Sequence, residues 1–153
     1  MIGISACLIG EAVRYDGGHK QQTQLKQLVD NGEAIAICPE VLGGLSVPRE
    51  PSEMINGDGV SVWSGQSQVA TQSGKDVTQA FKQGAQDALK ILQQHDIDTV
   101  ILKEGSPSCG STEVYDGQFN GTKRQGVGVT TALFEQHGIR VYNEHNWHTT
   151  FHK

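Results

Sequence analysis

Four short apolar runs, spaced by helical or turn-rich sequence, set the narrowest limits on how this chain can fold. Ile97 to Leu102, with Val100, Ile101 and Leu102 contiguous, reads as a strand buried on both faces. Residues 2 to 8 open the chain with a similar run. Glu33 to Cys38 ends in apolar Ala34 to Ile37, and Pro39 closes it by removing a backbone donor. Ile139 to Tyr142 supplies the fourth. Between the runs the period changes from two to 3.6. Gln21 to Val29 carries Leu25, Leu28 and Val29 at helical spacing and stops at Asn31-Gly32. A longer helix begins at Asp76, where Asp76 and Gln79 read as a capping box. It shows Val77, Phe81, Ala85, Ala88, Leu89 and Leu92 on one face and runs to about His95. A last helix fits Val129 to His137, closed by Gly138. This alternation predicts an open α/β fold: a mostly parallel, Rossmann-like sheet with flanking helices and right-handed crossovers.

The stretch from about 41 to 75 breaks the pattern with Gly43-Gly44, Pro48, Pro51 and Asn56-Gly57-Asp58-Gly59, and reads as an insertion. Within it, Val60 to Trp63 and Gln68 to Thr71 are expected to pair as a small β-hairpin, with Ser64-Gly65-Gln66 near its turn. Residues 1 to 144 form one domain, and 145 to 153 form a polar, His-containing tail expected to fray.

A chain of 153 residues can bury a core without a disulfide framework or a structural metal. Its formal charge of −5 lacks the basic footprint that binding a phosphate backbone requires, which argues against free nucleic acid as a partner. The N-terminus has no basic leader pattern, and no window approaches a membrane span; a cytoplasmic protein is expected. Three cysteines with no close pair leave thiol chemistry, a metal site or inert burial.

Each cysteine lies at or just past the carboxyl end of an apolar run: Cys7, Cys38, and Cys109 in the loop Glu104 to Thr112. In an open parallel sheet, ligands bind beyond those ends, so the topology brings the three thiols to one edge of the sheet. Three thiolates there could hold a soft metal, with small residues (Ala6, Gly10, Ser106, Ser108, Gly110) letting a bulky centre approach the backbone. An iron-sulfur cluster held by three thiolates leaves one iron open, which explains three cysteines rather than four. The alternatives are buried cysteines acting as small hydrophobes, a single nucleophilic cysteine with a histidine base, and zinc with His19, His95 or His137 as fourth ligand. Gly126-Val127-Gly128-Val129, ahead of the last helix, could offer backbone amides to an anion or a uracil edge, although it lacks a dinucleotide fingerprint. Asp16-Gly17-Gly18 reads as a turn.

Six motifs together resemble one family, the thiouracil desulfidases, small iron-sulfur proteins formerly catalogued as a domain of unknown function. They are Ser5-Ala6-Cys7-Leu8-Ile9-Gly10, Val13-Arg14-Tyr15-Asp16-Gly17, Cys38-Pro39-Glu40, Gly43-Gly44-Leu45 with Pro48-Arg49, Lys103 with Ser106-Pro107-Ser108-Cys109-Gly110, and Gly126-Val127-Gly128-Val129-Thr130. The resemblance implies a 4Fe-4S cluster ligated by Cys7, Cys38 and Cys109, with the substrate's sulfur on the open fourth iron. It further implies non-redox conversion of a free thiolated pyrimidine, thiouracil to uracil plus hydrosulfide. By motif position the acid/base carboxylate maps to Glu40 and the assisting hydroxyl to Ser106; Ser108, Lys103, Arg14 and Arg49 are candidates to hold substrate or balance charge. Another reading is a module that holds a cluster or sulfur without turnover.

Overall fold

A computed structural model of the chain describes residues 1–9, 23–46 and 50–147. Arg14, Arg49, His19, Asp16, Gly10 and Pro48 therefore lie outside the described residues, as does the rest of the tail beyond 147.

The central sheet has four strands, β1 (Ile2–Ser5), β2 (Ala34–Ile37), β5 (Thr99–Leu102) and β8 (Arg140–Asn143), in the order β2-β1-β5-β8, all parallel. Ile4 sits beside Ala36 on one side and Ile101 on the other, so β1 and β5 form the centre. Alternation along the strands sends side chains to two separate cores. Val100 and Leu102 join Ile37 on one face, where α4 (Thr78–Gln94) and α5 (Val129–Gln136) contribute Phe81, Ala85, Ala88, Leu92, Val129 and Phe134. Ile101 joins Ile4 and Ala34 on the other, covered by Leu25 of α1 (Thr23–Asp30) and by Trp147. The sheet is thus covered on both faces, as the contiguous apolar runs require.

Three local expectations are corrected. Val60 to Trp63 is not a strand but part of α3 (Gly59–Trp63). Its alternating pattern yields to the cap at Asp58, whose carboxylate accepts the Val60 N–H at 3.1 Å and whose own N–H reaches Ser61 Oγ at 2.9 Å. The hairpin partner of β4 (Gln68–Thr71) is instead β3 (Ser52–Ile55), antiparallel to it. At the start of α4, Asp76 takes the amide and hydroxyl of Thr78, at 2.9 and 2.6 Å, rather than closing a box with Gln79. Residues 145 to 147 pack against the domain. Trp147 is buried, and Asn143 Oδ1 accepts the amides of His145 and Asn146.

A second hairpin, β6 (Glu113–Tyr115) with β7 (Lys123–Gln125), follows the Cys109 loop. The remaining helix, α2 (Pro39–Leu42), starts directly after Cys38 and packs closely on α4. Glycine at both contact points permits that approach, since a Cβ on Gly84 would lie 1.8 Å from the Pro39 carbonyl oxygen. No described helix is long and apolar enough to cross a membrane.

Candidate active site

The order β2-β1-β5-β8 reverses direction between β1 and β5, and a crevice opens beyond the carboxyl ends of strands at such a switch point. Each cysteine emerges there. Ala6–Ile9, a 3-10 turn that continues β1, carries Cys7; Cys38 follows β2 and caps α2; Cys109 follows β5. All three line one cavity of about 400 Å³, together with Glu40, Lys103 and Ser106. The thiols and four of the six other candidate side chains are described, and of these only Ser108 is absent from the cavity wall.

The Cys109 loop is held by three sets of bonds. Ser106 Oγ accepts the N–H groups of Ser108 and Cys109 at 2.9 and 3.1 Å, and the Gly110 N–H closes the turn on the Ser106 carbonyl. With its oxygen so occupied, the Ser106 hydroxyl donates towards Glu40 Oε2 at 3.4 Å, a long contact. Behind the turn, the amides at the start of α5 are already used: Gly128, Val129 and Thr130 donate to the carbonyls of Gly110, Pro107 and Ser108 at 2.8 Å each. Val127 donates to Asp58 Oδ2. The expected amide site for an anion or uracil edge is therefore absent, because the helix N-terminus secures the cysteine loop instead. A Cβ on Gly128 would lie 2.3 Å from the Ser108 carbonyl oxygen. Ser108 is buried against Thr130, hydroxyl to hydroxyl at 2.7 Å, and also accepts the Cys109 thiol at 3.7 Å.

The third set centres on Glu104, to which the sequence reading assigned no role. Its carboxylate receives the amides of Gly105, Ser111 and Thr112, the hydroxyls of Ser111 and Thr112, and the side-chain amide of Asn143. Burial alone would raise its pKa, but the hydrogen bonds led by the Thr112 hydroxyl outweigh that and hold the carboxyl below its ordinary range. The only hint in the sequence was an acid followed at seven and eight residues by hydroxyls. Lys103 is likewise committed: its ammonium pairs with the buried Glu144 at 2.9 Å and donates to the Glu104 carbonyl at 2.8 Å.

Electrostatically the three thiols form one group. Burial pushes the Cys109 thiol well above its ordinary pKa, and the Glu40 charge pushes it further. The Ser108 hydroxyl offsets part of this, while Cys38 and Cys7 add to it. Holding all three as thiolates beside a carboxylate in one cavity would take a cationic centre. Among the described residues no three His, Cys, Asp or Glu side chains close around a single metal ion. Cys7, Cys38 and Cys109, lining one cavity, are the residues that would hold an iron-sulfur cluster here. His95 and His137, proposed as a fourth zinc ligand, cap the ends of α4 and α5 just before β5 and β8 begin. They lie at the opposite edge of the parallel sheet, about 13 Å of strand away from the thiols.

A family model for 2-thiouracil desulfurase matches residues 2–146. The chain belongs to this family. It is 46% identical over 144 residues to the uncharacterized protein YbbK of Bacillus subtilis (strain 168), covering 94% of this chain and 95% of that protein. A solved structure, the 4Fe-4S-dependent thiouracil desulfidase TudS, matches with a TM-score of 0.83 and 45% identity, over 94% of this chain and 90% of its own. The chain is an enzyme of the class that cleaves carbon–sulfur bonds.

Proposed function

We propose that this protein hydrolyses a free thiolated pyrimidine, converting thiouracil to uracil and hydrosulfide without net redox change, with a 4Fe-4S cluster held by Cys7, Cys38 and Cys109. The observation that carries this reading is a single cavity lined by three thiols from separate strand ends and by the Glu40–Ser106 pair. When bound, such a cluster supplies a Lewis-acidic iron with an open position, which can take a thiocarbonyl sulfur and draw electrons from its carbon.

The chain's own groups do the rest. Glu40, two residues after Cys38 on a helix packed against α4, is the group that would take a proton from water as its oxygen attacks the thiocarbonyl carbon. Ser106, its oxygen held by two amides, keeps its proton directed at Glu40 and so orients that carboxylate in the cavity and steadies its charge. Lys103, held in the wall by Glu144 and the Glu104 carbonyl, has one ammonium proton left to offer the substrate's oxygen or the thiolates. One C–O bond forms and one C–S bond breaks, and sulfur leaves with the bonding pair.

Anaerobic reconstitution with iron and sulfide tests this, followed by iron counting and sulfide release from 2-thiouracil and 4-thiouracil. About four irons per chain and release that fails in Cys7→Ala are expected. A reconstituted protein that releases sulfide from neither base would overturn the substrate, and one that takes up no iron would overturn the cofactor.

A further inference from the structure

Part of the cavity wall comes from the two hairpins: Ser52 and Glu53 of β3, and Tyr115, Phe119, Gly121 and Lys123 of the β6–β7 unit. Aromatic residues make up only 6% of the sequence, yet two half-buried rings stand on this wall. Phe119 holds a left-handed backbone, φ 55°, which is uncommon for a bulky side chain and must be enforced by its surroundings.

The enforcing group is visible. Glu53 is a buried carboxylate on β3, 7% exposed, and one oxygen accepts both the Gly117 N–H at 2.9 Å and the Phe119 N–H at 3.2 Å. Gly117 lets the turn settle on β3, where a Cβ would lie 2.6 Å from the Met54 carbonyl oxygen. A carboxylate taken out of water to grip a strained turn is costly, and here the turn carries a ring into the cavity. Beside it, the Lys123 ammonium lies 5.4 Å from the Tyr115 ring centroid, a cation–π contact that steadies the second ring.

We infer that Tyr115 and Phe119 form the stacking wall that receives the flat face of the pyrimidine ring, and that Glu53 is the positioning residue that holds this wall in place. The identity of the ring rests on the desulfidase reading; the wall itself rests on the hairpin geometry. Stacking recognises a planar π-face whatever its exocyclic groups. The wall therefore selects an aromatic thio compound over an open-chain one and accepts substrate and product rings alike.

The test is equilibrium binding of 2-thiouracil and of uracil to anaerobically reconstituted protein, with iron content and steady-state kinetics measured in parallel. Phe119→Ala and Tyr115→Ala are expected to keep their iron and to weaken both ligands about tenfold or more. KM should rise with them while kcat changes much less. Phe119→Tyr should restore binding. Glu53→Ala should copy Phe119→Ala, whereas Glu53→Gln, which keeps an oxygen for the two amides, should bind like the parent protein. Unchanged binding in both aromatic truncations at parental iron content overturns the wall, as does a parent protein that binds neither ring. Equal loss in Glu53→Ala and Glu53→Gln overturns the positioning role. A parent protein that binds both rings but releases no sulfide overturns the desulfidase reading and leaves the wall standing.

Discussion

The cavity has one wall of strand ends and one of hairpins, and the two are held by different means. On the strand-end side, Cys109 rides a turn tied to Glu104, to the first amides of α5 and to its own Ser106, with β1 and β5 buried beneath it. On the hairpin side, β6 and β7 are three residues each, β7 is exposed throughout, and a buried Glu53 reaches across to their turn. A lone two-stranded hairpin is marginal in water, so that wall depends on its clamp. The contrast suits the proposed division of labour, in which the rigid side holds reactive groups in fixed geometry and the lighter side receives ligand.

Substitutions that separate the walls should differ in kind as well as size. The largest effect is expected from Cys109→Ala, which removes one of the proposed ligands: sulfide release should vanish and iron per chain should fall, while the hairpin wall is untouched. Activity that survives at parental iron content would show that the strand-end wall is not the reactive one. Next is Glu40→Gln. Loss of a general base costs about 10²–10⁴-fold, so kcat should drop on that scale with KM little changed. A change confined to KM would instead move Glu40 into ligand binding.

Glu104→Gln probes the scaffold of the same wall. It turns an acceptor of several N–H and O–H groups into a partial donor and should cost about 2–3 kcal/mol of stability at neutral pH, read by denaturant unfolding. The sign of its pH dependence follows from the depressed carboxyl. Glu104 contributes above the unfolded carboxylate range, and that contribution fades as pH falls through the lower folded value. The stability gap between parent and variant should therefore narrow on acidification below about pH 4. A constant gap would mean that the bonds, not the charge, carry the effect. The smallest effect belongs to the hairpin side: Lys123→Ala removes an exposed cation–π contact and should cost about 0.5–1 kcal/mol. A larger loss would show the hairpin wall to be as interlocked as its counterpart.

The same division explains what could be read from residues alone. Cys7, Cys38 and Cys109 were legible as one group because each follows an apolar run, and the parallel sheet brings such ends together whatever their distance in sequence. Glu40 and Ser106 came with the motifs around them. The hairpin wall was not legible, since Lys123–Gln125 is wholly polar and Glu113–Tyr115 has one buried residue to mark it. Val60 to Trp63 alternates like a strand, and only the Asp58 cap and the pairing of Gln68–Thr71 with Ser52–Ile55 made it helical. The α5 amides read as an open site until the Pro107–Gly110 carbonyls occupied them.

By itself the sequence determined the parallel sheet, its two helical layers and the edge at which the thiols meet, because hydrophobic period and strand-end position are local properties that the topology converts directly into place. Only the tertiary structure decided which carboxylate does what. Glu53, Glu104 and Glu144 look alike in sequence, and each draws its role from donors far along the chain, Phe119, Asn143 and Lys103, that folding alone brings within hydrogen-bonding distance.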